Sequence, residues 1–182
     1  MNRHPRCPSR QPGFTLLELV LVVLIISIMG LIAIDRLFEY RIDAERAMIQ
    51  TVTGNIRSGL GMAIAERVAR DRIDTVNDLE HTNPVEFLSQ PPNNYLGEID
   101  NESQVNEEGV WYFDTSESAL VYRVRFGDYF NTPLSGAPRV RYRIQLVYND
   151  NNRNNRLDPG TDDVTGLDLV TLEDYEWEFP NE

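Results

Sequence analysis

Glu18 is the only ionisable residue between Phe14 and Ile34, a run of 21 otherwise uncharged residues reading FTLLELVLVVLIISIMGLIAI. A carboxylate inside a membrane span costs up to about 2.5–3.5 kcal/mol at the bilayer centre and less near an end. Such a group calls for a cation at the same depth. Gly13-Phe14 offers one, because a cut between them exposes a new α-amine four residues before Glu18. In one helix residues 14 and 18 lie a turn apart, and a neighbouring subunit displaced along a bundle presents its Phe14 amine equally well. The chemistry is ion pairing in an apolar medium, which favours association.

A second constellation lies in DNNRNNRLDPGTDD. Asp150, Asn152, Asn154 and Asp158 fall at positions 1, 3, 5 and 9 of an EF-hand-type loop, with the Arg156 carbonyl at position 7. These are hard oxygen donors suited to Ca2+. Asn155 stands at position 6 in place of the usual glycine, and asparagine tolerates a left-handed backbone. Thr161 stands at position 12 in place of the bidentate glutamate, with Asp162 and Asp163 following, so Asp162 completes the candidate ligand set. The same residues also suit an Asx-rich turn closed by Pro159-Gly160. A calcium site here would be structural and of modest affinity.

The chain that must position these groups has 182 residues and 41% apolar content, enough for one modest domain beside a membrane segment. Its formal charge is −12, and all 17 basic residues are arginine. A surface so acidic repels nucleic acid and anionic lipid. Cys7 is the only cysteine, so no disulfide staples the fold. Ser/His/Asp and Cys/His constellations, phosphate-binding glycine loops and His-rich sites are all missing from the pattern, which argues against an enzyme.

At about 1.5 Å per residue, a helix over Phe14–Ile34 spans roughly 30 Å of hydrocarbon. Arg3, Arg6 and Arg10 precede it without an acidic residue among them, which predicts a cytoplasmic N-terminus and an exported C-terminal domain. A cleaved secretory signal has a shorter apolar region and a small-x-small site, neither of which is clear here. Gly13-Phe14-Thr15-Leu16-Leu17-Glu18-Leu19 resembles the processing motif of type IV prepilins and type II secretion pseudopilins.

The resemblance implies cleavage after Gly13 by a prepilin peptidase in the bacterial inner membrane, methylation of the Phe14 amine, and Glu18 as the assembly carboxylate. It further implies other pilin or pseudopilin subunits and an inner-membrane assembly platform as partners, and a periplasmic or extracellular filament as the destination. Cleavage removes three arginines and leaves 14 basic against 29 acidic residues, a formal charge of −15. Many filament-forming members place a proline late in the span, whereas GLIAIDRLFEY has Gly30 and no proline, which favours a minor subunit. The alternative is a membrane-tethered, calcium-dependent periplasmic binding module that does not polymerise.

Beyond the span, Ile49, Val52, Ile56, Leu60, Ile64 and Val68 recur every three or four residues, predicting the buried stripe of an amphipathic helix. Glu39, Glu45, Arg46 and their charged neighbours are expected on its solvated faces. Gly54, Gly59 and Gly61 mark candidate points of close packing. Asn83-Pro84 reads as a boundary, with a short helical turn near Val85 to Leu88 and a connecting loop beyond. His81 reads as a loop residue.

GVWYFDTSESALVYRVRF predicts a hairpin, and PRVRYRIQLVY a strand with Val140, Tyr142, Ile144, Leu146 and Tyr148 facing the core. Arg139, Arg141 and Arg143 on the other face are expected to pair with acids. GLDLVTL and YEWEF add two strands. Trp111, Tyr112, Phe113, Tyr122, Tyr142, Tyr148 and Trp177 read as core. The expected fold is α+β, a long N-terminal helix packed on an antiparallel sheet, pilin-like. It divides into a leader over 1–13, a membrane span over 14–34, an amphipathic helix over 35–75 and a β-rich domain over 76–182.

Overall fold

A computed structural model describes residues 13–154, 158 and 161–178. Arg3, Arg6, Cys7 and Arg10 of the expected leader, and Asn155, Arg156, Pro159 and Gly160 of the candidate calcium loop, lie outside the described residues. Helix α1 covers Leu16–Ala69, and the chain divides into two compact units between Arg41 and Ile42.

In the first unit the side chains of α1 are exposed through the apolar run, from Leu16 at 81% to Ile34 at 54%. This helix is long and apolar enough to cross a membrane. Its charged end is laced internally, with Arg36 bonded to Glu39 at 2.9 Å and the Arg41 guanidinium over the Phe38 ring at 5.8 Å.

In the second unit α1 packs on a sheet. The buried stripe is Ile42, Glu45, Ile49, Thr53, Ile56 and Leu60. Ile64 is half-buried and Val68 exposed, so the stripe sits one to two turns earlier than the apolar spacing predicts. The helix stops at Ala69, short of the expected residue 75. Asp71 turns left-handed (φ 55°), while the Arg72 N–H reaches the Arg67 carbonyl at 2.9 Å and the Asp71 N–H reaches that of Val68 at 3.1 Å. This pair of bonds is a Schellman closure, with aspartate standing where glycine is usual.

Short 3-10 turns follow over Ile73–Leu79 and Pro84–Phe87. The second is capped by the Asn83 side chain, which accepts from the Val85 N–H at 3.1 Å, with Pro84 at the first helical position where its missing N–H costs nothing.

The described strands are β1 Tyr95–Ile99, β2 Val110–Asp114, β3 Ala119–Arg123, β4 Phe130–Asn131, β5 Arg139–Asn149, β6 Asp163–Thr171 and β7 Glu176–Trp177. The main sheet has the order β1-β2-β3-β5-β6, and β4 pairs with β7 in a separate ribbon. The α+β, pilin-like class holds, and β2, β3, β5 and β6 pair antiparallel as expected. Two details differ. The edge strand β1 comes from the expected connecting loop and runs parallel to β2, and the YEWEF segment joins β4 rather than the main sheet. Asn94 anchors the loop before β1 by donating to the Gly109 carbonyl at 2.6 Å.

Trp111, Tyr122, Tyr142, Ile144 and Leu169 meet Ile49, Ile56 and Leu60 in one core, with Trp111 and Tyr122 ring centroids 4.8 Å apart. Each fully buried side chain of this size contributes about 1.5–3 kcal/mol, so these three helix residues are a main contribution to the packing of this part of α1 on the sheet. Gly59 permits the closest approach, since a Cβ there would lie 2.1 Å from the Phe87 carbonyl oxygen. Gly54 and Gly61 face open space.

Candidate functional site

Gly13, Phe14 and Thr15 are not helical, and α1 starts immediately after them. Thr15 caps it: the hydroxyl Oγ1 accepts the main-chain N–H of Glu18 at 3.2 Å, while the Thr15 carbonyl receives the Leu19 N–H at 3.2 Å. Thr15 and Glu18 therefore hold the spacing of a capping box, and the carboxylate lies in the first turn, where the helix dipole favours negative charge. Phe14 is 81% exposed and Glu18 is exposed as well. The arrangement presents a carboxylate and the Gly13-Phe14 bond at the start of an exposed apolar helix. A helix of this length and apolarity is able to cross a membrane.

Residues 8–34 match the prokaryotic N-terminal methylation motif. This is the signal motif of type IV prepilins and pseudopilins, and it spans the apolar run together with Gly13, Phe14 and Glu18. The motif implies processing by prepilin peptidase and assembly with other pilin subunits. Joined to the apolar helix, it fits a single-pass inner-membrane protein. No curated protein and no solved structure matches the chain.

The helix also carries a residue that its apolar spacing hides. Glu45, expected on a solvated face, is only 7% exposed. Its Oε1 accepts from the Tyr122 hydroxyl and the Arg125 N–H, each at 2.7 Å, and its Oε2 accepts from the Phe126 N–H at 3.1 Å. One carboxylate thus closes α1 onto the end of β3 and the chain beyond it. Burial pushes the Tyr122 hydroxyl well above its ordinary value, and its bond to Glu45 pushes it further, so it remains a donor. The signal lay in register: Glu45 is three residues after Ile42 and four before Ile49, inside the stripe.

The arginines of β5 behave largely as expected. Arg139 pairs with Glu102 at 3.1 Å, and Arg141 with both Glu117 and Glu173. Arg143 instead donates to the Glu117 and Ser118 carbonyls, closing the β2–β3 turn.

In the candidate calcium loop the described donors form one hydrogen-bond network. The Asn154 N–H meets Asp150 Oδ1 at 3.2 Å and Asn152 Oδ1 at 3.1 Å. The side-chain amides of Asn152 and Asn154 both donate to Asp158 Oδ2, at 2.6 and 2.5 Å. Asp162, 8% exposed, accepts the N–H groups of Asn151 at 2.9 Å and Asp158 at 2.8 Å, tying the loop's two ends. Among the described residues no three His, Cys, Asp or Glu side chains are grouped to hold a metal ion. The network is that of an Asx-rich turn.

Proposed function

We propose that this chain is a prepilin-like subunit, cut after Gly13, methylated on the Phe14 amine, and built into a type IV pilus or type II secretion pseudopilus as a minor subunit. The observation that carries this reading is the methylation motif lying on an exposed apolar helix with Glu18 in its first turn. In assembly, Glu18 meets the methylated amine of a neighbouring subunit, which removes the cost of an isolated carboxylate in hydrocarbon. The missing proline after Gly30 supports the minor role. A non-polymerising membrane tether is the competing reading.

Glu18 separates the two. The Thr15 cap uses the main-chain N–H of residue 18, so Glu18→Leu and Glu18→Gln leave that bond in place. Both variants are expected to insert and be processed yet be absent from the isolated filament fraction. Normal incorporation of both would leave the tether as the better account.

Calcium binding by the loop of Asp150, Asn152, Asn154, Asp158 and Asp162, with the Arg156 carbonyl, forms a second part of the proposal. The support is the EF-hand spacing of these residues and the hydrogen bonds that join Asn152 and Asn154 to Asp158, and Asn154 to Asp150. Calcium would tie down the strand ends that the loop joins. Melting of the full chain in detergent is expected to shift upward with added Ca2+ and not with Mg2+, and Asp158→Asn to abolish the shift. Equal melting with and without Ca2+ would leave the Asx turn as the whole account.

A further inference from the structure

Strand alternation puts Arg123 on the sheet face opposite to the Leu120, Tyr122 and Val124 core, and pairs it directly with Arg139 of β5. Like charges placed opposite one another across a sheet repel. Arg139 is neutralised by Glu102 at 3.1 Å and also donates to the Ser135 and Ala137 carbonyls, at 3.0 and 3.1 Å. Arg123 has no acidic partner among the described residues. Its Nη1 donates to the Val105 carbonyl at 2.8 Å, its Nε is shut off from solvent without a partner, and it forms no ion pair among the described residues.

Arg123 and Arg139 line a pocket of about 430 Å³ together with Glu102, Ser103, Asn106 and Ser135. Two arginines and one glutamate leave it a single positive charge, in a chain whose formal charge is −12. A carboxylate is the acceptor that a guanidinium's planar fork fits best, and Arg123 meets none among the described residues.

We propose that this pocket binds a monoanionic carboxylate, with Arg123 as the principal contact and Arg139 beside it. The single uncompensated charge selects a carboxylate over a phosphate dianion. The group comes either from a free organic acid or from an acidic side chain of a second copy of the chain.

The test labels the full chain in zwitterionic detergent with phenylglyoxal and maps modified arginines by mass spectrometry, in acetate and in chloride at equal ionic strength. Acetate is expected to lower labelling of Arg123 several-fold while leaving the exposed Arg70 unchanged. If Arg123 is instead protected without acetate, increasingly with protein concentration, the carboxylate belongs to a second copy. Labelling that is the same under all these conditions would overturn the proposal, as would protection by phosphate at lower concentration than acetate. As a second readout, acetate is expected to raise the melting temperature of the native chain and not of Arg123→Gln. The protection experiment uses the native sequence and stands even if that variant does not fold.

Discussion

Glu18 and Glu45 show how the same side chain serves two places on one helix, its first turn and its middle. Glu18 is exposed in the first turn, while Glu45 is enclosed by three donors. Replacing Glu45 by alanine strands the Tyr122 hydroxyl and two main-chain N–H groups, each at about 1–3 kcal/mol. Urea unfolding is therefore expected to show Glu45→Ala among the most destabilising changes in the second unit, with Tyr122→Phe milder at about 1.5–3 kcal/mol. A loss under 1 kcal/mol for Glu45→Ala would mean that water reaches these groups. Composition cannot reveal such a residue, because a glutamate among charged neighbours reads as solvated; only its register with Ile42 and Ile49 marks it. The pairing of Arg139 and Arg141 was legible from alternation and net charge. Arg143 was not, since its carbonyl partners belong to a turn whose placement depends on the whole sheet.

At the scale of elements, propensity and packing separate cleanly along α1. Gly59 and Gly61 look alike in sequence, yet only Gly59 meets another segment, the Phe87 carbonyl of the 3-10 turn. Gly59→Ala is expected to force that backbone apart and destabilise by about 1–3 kcal/mol, as overpacking does. Gly61→Ala, facing open space, is expected to stabilise by up to about 1 kcal/mol through helix propensity. Thermal melts of the pair check both signs at once, and equal effects would place the turn elsewhere. The helix, the hairpin and β5 were readable because each satisfies a period of its own. β1 was not, because Tyr95–Ile99 is held by long-range partners: it pairs with β2, and Asn83 donates to the Tyr95 hydroxyl at 2.9 Å and to Glu98 at 3.0 Å. β7, two residues long, is likewise defined by its partner β4 rather than by its own pattern.

For the molecule as a whole, the informative features are the motif over residues 8–34 and a chain without lysine. Cleavage after Gly13 would make the Phe14 α-amine the only primary amine in the chain, so a modification of that group would be read without interference from side chains. In the proposed function this amine is created by processing and then methylated. This is tested most directly by the intact mass of the protein extracted from the membranes of its native cells. A species beginning at Phe14 and heavier than that sequence by one methyl group is expected. A mass that retains Met1 to Gly13 would contradict it and leave a membrane-tethered domain whose Glu18 serves only the first turn of its helix.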